Sequence, residues 1–126
     1  MAIQLTTTGI NTMLSSFLGS EGQILKLYSN DVDPEASTTV TQFTEFTGDG
    51  YSAKTLESTN WSVAAGVATT TSQTWEFTGA TGEVYGYYLV GASTGKLLAA
   101  ERFSNGPYTV AVSGDKITVS ITLSLS

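Results

Sequence analysis

From Gln23 onward the chain is written largely in alternating apolar and polar residues, as in ITVSITLSL from Ile117 to Leu125. Successive side chains of a strand point to opposite faces, so this period specifies half-buried β-structure and excludes a helical bundle. One segment breaks the rule. In EVYGYYLVG, Glu83 to Gly91, one face carries Val84, Gly86, Tyr88 and Val90, and the other carries Tyr85, Tyr87 and Leu89. Both faces of such a strand demand cover. The core takes one, and what covers the second bears on function.

Turn signals separate the other strands. Ile24 to Tyr28 runs into SNDVDPEAS, a turn cluster, and Tyr51 to Leu56 follows GDG. Trp61, Val63, Ala65 and Val67 alternate with small or polar residues, and Trp75 and Phe77 occupy apolar phases in the same way. Lys96 to Phe103 is joined to Val84–Val90 by GASTG, a hairpin turn, and Tyr108, Val110 and Val112 alternate before SGDK leads into the last strand. About eight or nine strands at this spacing predict an all-β fold, an antiparallel β-sandwich of jelly-roll type with one short N-terminal helix.

That helix is the one place where the period lengthens. Ile10, Met13, Leu14, Phe17 and Leu18 make a single apolar stripe, with Thr8 as N-cap and Gly19 at the C-terminal end. A helix of about ten residues is unstable alone in water and must dock on its own sheet or on a neighbouring molecule. Residues 1–20 thus read as an arm carrying the helix, and 21–126 as a single β-sandwich domain.

Composition removes most chemistries. Without cysteine or histidine there is no thiolate, no disulfide and no imidazole base or ligand. A net charge of -6 with 5 basic residues argues against nucleic acid. No run approaches the ~18 apolar residues of a membrane span, and the N-terminus lacks the basic region of a signal peptide. A soluble cytoplasmic product is expected, in which the Asn60-Trp61-Ser62 sequon is fortuitous. Asp31, Asp33 and Glu35 in DVDPE offer carboxylate oxygens to a hard cation, but lack the glycine and distal glutamate of an EF-hand loop, so they read as a polar turn. Glu101 has no spacing that pairs it with Glu45 or Glu83 for acid–base work; Glu101 and Arg102 read as salt-bridge residues between strands or between subunits. The glycine-rich turns lack the residues of a phosphate loop, and no serine sits in a nucleophile elbow. No enzyme and no cofactor are expected. Tyr85 and Tyr87 suit either a sugar platform or burial against a partner subunit, the second being favoured.

The order of LKLYSND with Pro34, GYSAKTL, NWSV, VYGYYLV followed by glycine, AERFSNGP and GDKITVSITLSL resembles a group of small phage virion structural proteins, over roughly residues 23 to 125. The resemblance implies a capsid decoration or cement protein, made in the host cytoplasm and carried on the capsid surface, that binds the major capsid protein and self-associates, with a homotrimer the expected oligomer. The candidate interface is Ile10, Met13, Leu14, Phe17 and Leu18 of the helix with Tyr85, Tyr87 and Arg102. A tail or fibre component with a receptor- or glycan-binding β-domain is the alternative. On this reading the second face of Val84–Val90 lies under the helix or an adjacent subunit.

Overall fold

The computed structural model describes residues 3–124 and places the helix, α1, at Thr7–Gly19. Its N-cap is Thr6, not Thr8: Thr6 holds an extended backbone, and its Oγ1 accepts from the Gly9 N–H at 3.1 Å. Thr8 is the second residue of the helix, where its carbonyl accepts from the Thr12 hydroxyl. At the other end Gly19 is the last helical residue, and the chain leaves through Ser20 in a right-handed conformation. A buried glutamine finishes the helix instead. Gln23 Nε2 donates to the carbonyls of Leu18 (3.2 Å) and Glu21 (2.6 Å), while its Oε1 accepts from the Trp61 indole N–H at 3.0 Å. One side chain thereby satisfies the Leu18 carbonyl at the helix end and ties the helix to two sheets.

Eleven strands follow among the described residues: β1 (Gln23–Tyr28), β2 (Lys54–Leu56), β3 (Trp61–Ala64), β4 (Val67–Thr70), β5 (Gln73–Glu76), β6 (Gly82–Val84), β7 (Gly86–Gly91), β8 (Leu97–Arg102), β9 (Tyr108–Val110), β10 (Lys116–Val119) and β11 (Thr122–Ser124). All pairings are antiparallel, in sheets ordered β2-β1-β7-β8, β11-β4-β3, β10-β5 and β6-β9. The GASTG turn does form the β7–β8 hairpin, held by Glu21 Oε1, which accepts from the Ser93 N–H at 2.8 Å and the Thr94 N–H at 3.2 Å.

The strand count exceeds the expected one because three apparent strands are broken. Trp61 to Val67 is a hairpin, turning at Ala65 (φ 53) and Gly66 (φ 79). Two consecutive positive φ angles match the twist of paired strands, and alanine in the first position hides the turn from the sequence. The last strand divides at Ser120–Ile121: β10 pairs with β5, β11 with β4, and the register slips between them. A Ser72–Ser120 hydroxyl contact of 2.9 Å and the Ile121 N–H to Thr70 Oγ1 bond at 2.9 Å bracket the bend.

The third departure lies in the two-faced segment itself. Val84, Tyr87 and Leu89 face the main core, whereas Tyr85, Tyr88 and Val90 face a second cluster. The alternation slips by one residue at Tyr85–Gly86, where the chain passes from β6, paired with β9, to β7, paired with β1 and β8. Tyr85 and Tyr87 therefore lie on opposite faces, not on one. Gly86 permits the crossing: a Cβ there would run into the Glu101 carbonyl and stand 2.6 Å from Tyr28 Oη. Gly86→Ala is expected to lower the unfolding free energy by about 3 kcal/mol through overpacking. Gly19→Ala, in open space at the helix end, is not. Urea melts of the two variants check the contrast.

Candidate interaction surfaces

The second face of β7 is covered by the chain itself. Val32, Val40 and Phe43, from the segment between β1 and β2, pack with Tyr28, Tyr85, Tyr88 and Val90. Phe43 stacks on Tyr88 with centroids 4.7 Å apart and planes 7° from parallel, and it lies 4.7 Å from the Tyr28 ring. Asn30 pins the segment: its Nδ2 donates to the Gln42 carbonyl at 2.9 Å, and its Oδ1 accepts from the Thr44 N–H at 2.8 Å. The expectation that the helix or an adjacent subunit covers this face is overturned. Isolated apolar residues in a polar segment carry no period, so their role was invisible before folding.

The helix docks elsewhere. Leu14 and Leu18 are buried with Ala68 of β4, and Ile10, Trp61, Val63 and Leu123 pack around them. Asn11 Oδ1 accepts from the Gly66 N–H at 2.8 Å, locking the helix onto the β3–β4 turn. The apolar stripe is wider than this contact. Met13 remains 50% exposed and Phe17 41% exposed, and with Leu14, Leu98, Leu123 and Ser124 they line a groove of about 360 Å³ beside the free edge of β8. Among the expected interface residues, these two are left open to solvent by the fold.

Tyr85, Tyr87 and Arg102 are engaged within the chain. Tyr87 is only 8% exposed, and its hydroxyl donates to Glu101 Oε1 at 2.8 Å. Burial, reinforced by the Glu101 carboxylate, pushes its pKa well above the ordinary tyrosine value. Arg102 lies over the Tyr85 ring, 5.2 Å from the centroid, pairs with Asp31 and donates to the Val32 carbonyl at 3.3 Å. The Asp31 hydrogen bond raises the guanidinium pKa further. This cluster clips the covering segment to β8. Glu45 accepts from Tyr51 Oη at 2.7 Å and lies 3.7 Å from Lys26 Nζ, so Glu45 and Glu101 serve different tyrosines. Among the described residues no three His, Cys, Asp or Glu side chains converge as a metal-holding group. No helix among them is long and apolar enough to cross a membrane.

A surface that the sequence did not single out joins β8, β9 and β10. Phe103 and Tyr108, with ring centroids 5.0 Å apart, line an open groove of about 480 Å³ with Asp115, Lys116 and Thr118. Tyr108 is 41% exposed. The paired aromatics at either end of FSNGPY, Phe103 and Tyr108, were the available signal. The chain matches no protein-family model, no curated protein and no solved structure.

Proposed function

We propose that this chain is a non-enzymatic structural protein of a phage virion, a capsid decoration or cement protein that binds the major capsid protein and works on the capsid surface as an oligomer. The observation that carries the reading is the groove of Met13, Phe17 and Leu98: an apolar stripe only half spent on the chain's own core, beside a rigid β-domain. The resemblance of the strand and turn motifs supplies the partner. A sandwich of jelly-roll type fits as well, since Leu25, Leu27, Leu56 and Leu89 of one sheet share a core with Trp75, Ile117 and Val119 of another. An acidic exterior, with net charge -6, suits a particle surface that must not capture nucleic acid.

Quantitative mass spectrometry of purified particles tests this. The expected result is about one copy per major capsid subunit, with Phe17→Asp reducing occupancy at least tenfold, equivalent to about 1.4 kcal/mol. Phe17 is 41% exposed, so the variant is expected to fold, and its melting curve, recorded alongside, separates lost binding from lost stability. Absence from the particle refutes the proposal. A handful of copies supports the second reading, a tail or fibre component, for which the Phe103–Tyr108 groove is the glycan platform: an exposed aromatic beside a carboxylate, an ammonium and a hydroxyl.

A further inference from the structure

β8 ends its sheet: among the described residues it pairs with β7 on one side and with no strand on the other. A six-residue free edge is a template for another strand. Its sequence, with the preceding residue, is Lys96-Leu97-Leu98-Ala99-Ala100-Glu101-Arg102, and Lys96 to Glu101 is complementary to its own reverse. Laid antiparallel against a second copy with the twofold axis between Leu98 and Ala99, Lys96 meets Glu101, Leu97 meets Ala100 and Leu98 meets Ala99. Each charge faces its opposite, and each large side chain faces a small one.

The facing pattern of the folded strand supports this register. Directly opposed residues of an antiparallel pair share a face. Leu97 and Ala100 both pack on the second cluster. Ala99 packs on the main core, and Leu98 lines the groove with Leu123, itself packed on that core, while also bordering a cleft with Pro34 and Ala36. In a regular strand Leu97 and Ala100 would fall on opposite faces; the β-bulge at this end of β8, where the register with β7 shifts between Leu89 and Val90, brings them to one face.

The charges at the ends are also free for it. Of the 5 basic side chains, Lys26, Arg102 and Lys116 make ion pairs with Glu45, Asp31 and Glu76, and Lys54 lies over the Trp75 ring. Lys96 alone has no such partner among the described residues. Glu101 has no cationic partner there either, only the Tyr87 hydroxyl. We infer that a second copy of this chain pairs with the β8 edge, forming an isologous twofold dimer closed by reciprocal Lys96–Glu101 contacts. The inference does not depend on any role in a virion.

A six-residue edge with its flanks sits at the small end of interface sizes, so dimerisation is expected in the micromolar range. Sedimentation equilibrium of the wild-type chain across that range is expected to give a mass rising to twice 13.2 kDa. Lys96→Glu, at an exposed position, is expected to weaken the dimer at least tenfold without shifting the melting curve, and K96E/E101K to recover most of the loss. A monomer at high micromolar concentration, a trimer, or a dimer indifferent to K96E overturns the inference.

Discussion

Truncating Phe43 to alanine is expected to lower the unfolding free energy by about 3–5 kcal/mol, as for other buried aromatics. Phe43 is 8% exposed and is the largest side chain that the segment between β1 and β2 lays on the second face of β7. Without it Tyr28 and Tyr88 lose their shared stacking partner, 4.7 Å from each ring, and face a cavity. The smaller Val32 and Val40 also pack there, and the Tyr28 hydroxyl donates to the Val32 carbonyl, while the Asn30 hydrogen bonds and the Arg102–Asp31 pair lie at the surface, where such contacts contribute little. Urea unfolding measures the loss. Amide exchange adds a local readout: protection is expected to fall first at the Phe46 N–H, bonded to the Leu27 carbonyl, and at the Ser29 N–H, bonded to the Thr44 carbonyl. Val112→Ala, at a side chain 59% exposed, is the control and should cost under about 0.5 kcal/mol. A loss under about 1 kcal/mol for Phe43→Ala would mean that the second face needs no cover from this segment, and another partner would have to be sought for it.

The second large effect is alkaline. Burial pushes Tyr28 and Tyr88 up to about 12, Arg102 partly opposing the shift at Tyr28 and Glu45 adding to it at Tyr88. Tyr51 and Tyr87 are driven higher still, by burial first and then by the hydrogen bonds they donate to Glu45 and Glu101. The unfolded value is about 10, so the folded state holds protons that the unfolded state releases. Stability from these groups is complete below pH 10 and is lost as pH rises from 10 towards 12 and beyond. Each tyrosine removes about 1.4 kcal/mol per pH unit inside that window. All four groups titrate in the same window, so their losses act in the same direction. Urea midpoints are expected to stay level to about pH 9 and to collapse above pH 10.5, with tyrosinate absorbance rising in step with loss of the fold. A midpoint unchanged at pH 11 would mean that these rings reach water in the native state. Tyr87→Phe, which removes one titrating hydroxyl, should shift the collapse to higher pH if the protein folds as described.

Much of this architecture was legible in the sequence because the relevant physics is local. Two-residue alternation marked β9 and β10, apolar runs bounded by turn signals marked β1, β7 and β8, the GASTG and SGDK turns fell where their glycines and polar residues placed them, and the apolar stripe marked α1. Trp75 and Phe77 belong to the core, as their phases indicated. Of the expected interface residues, the helical stripe divided: Leu14 and Leu18 went to the core, while Met13 and Phe17 stayed exposed. Spacing predicts which residues share a helix face, but how far a docked face is buried depends on the curvature of the sheet beneath it.

Where the sequence misled, the cause was a backbone event without a composition signal. Ala65 turns a chain that read as continuous, the strand after Lys116 bends between two partners, and the alternation slips at Tyr85–Gly86. A slip of one residue exchanges the faces of everything on one side of it, which is why Tyr85 and Tyr87 parted company.

The sequence by itself determined that this is an antiparallel β-protein with a single short amphipathic helix, since period and turn chemistry are properties of neighbouring residues. Tertiary structure alone decided what each apolar face meets. Val32, Val40 and Phe43 cover β7, the helix settles on β3 and β4, and among the described residues the outer edge of β8 is left without a strand. Those outcomes are contests between surfaces far apart in the chain, won by shape and buried area rather than by any local preference.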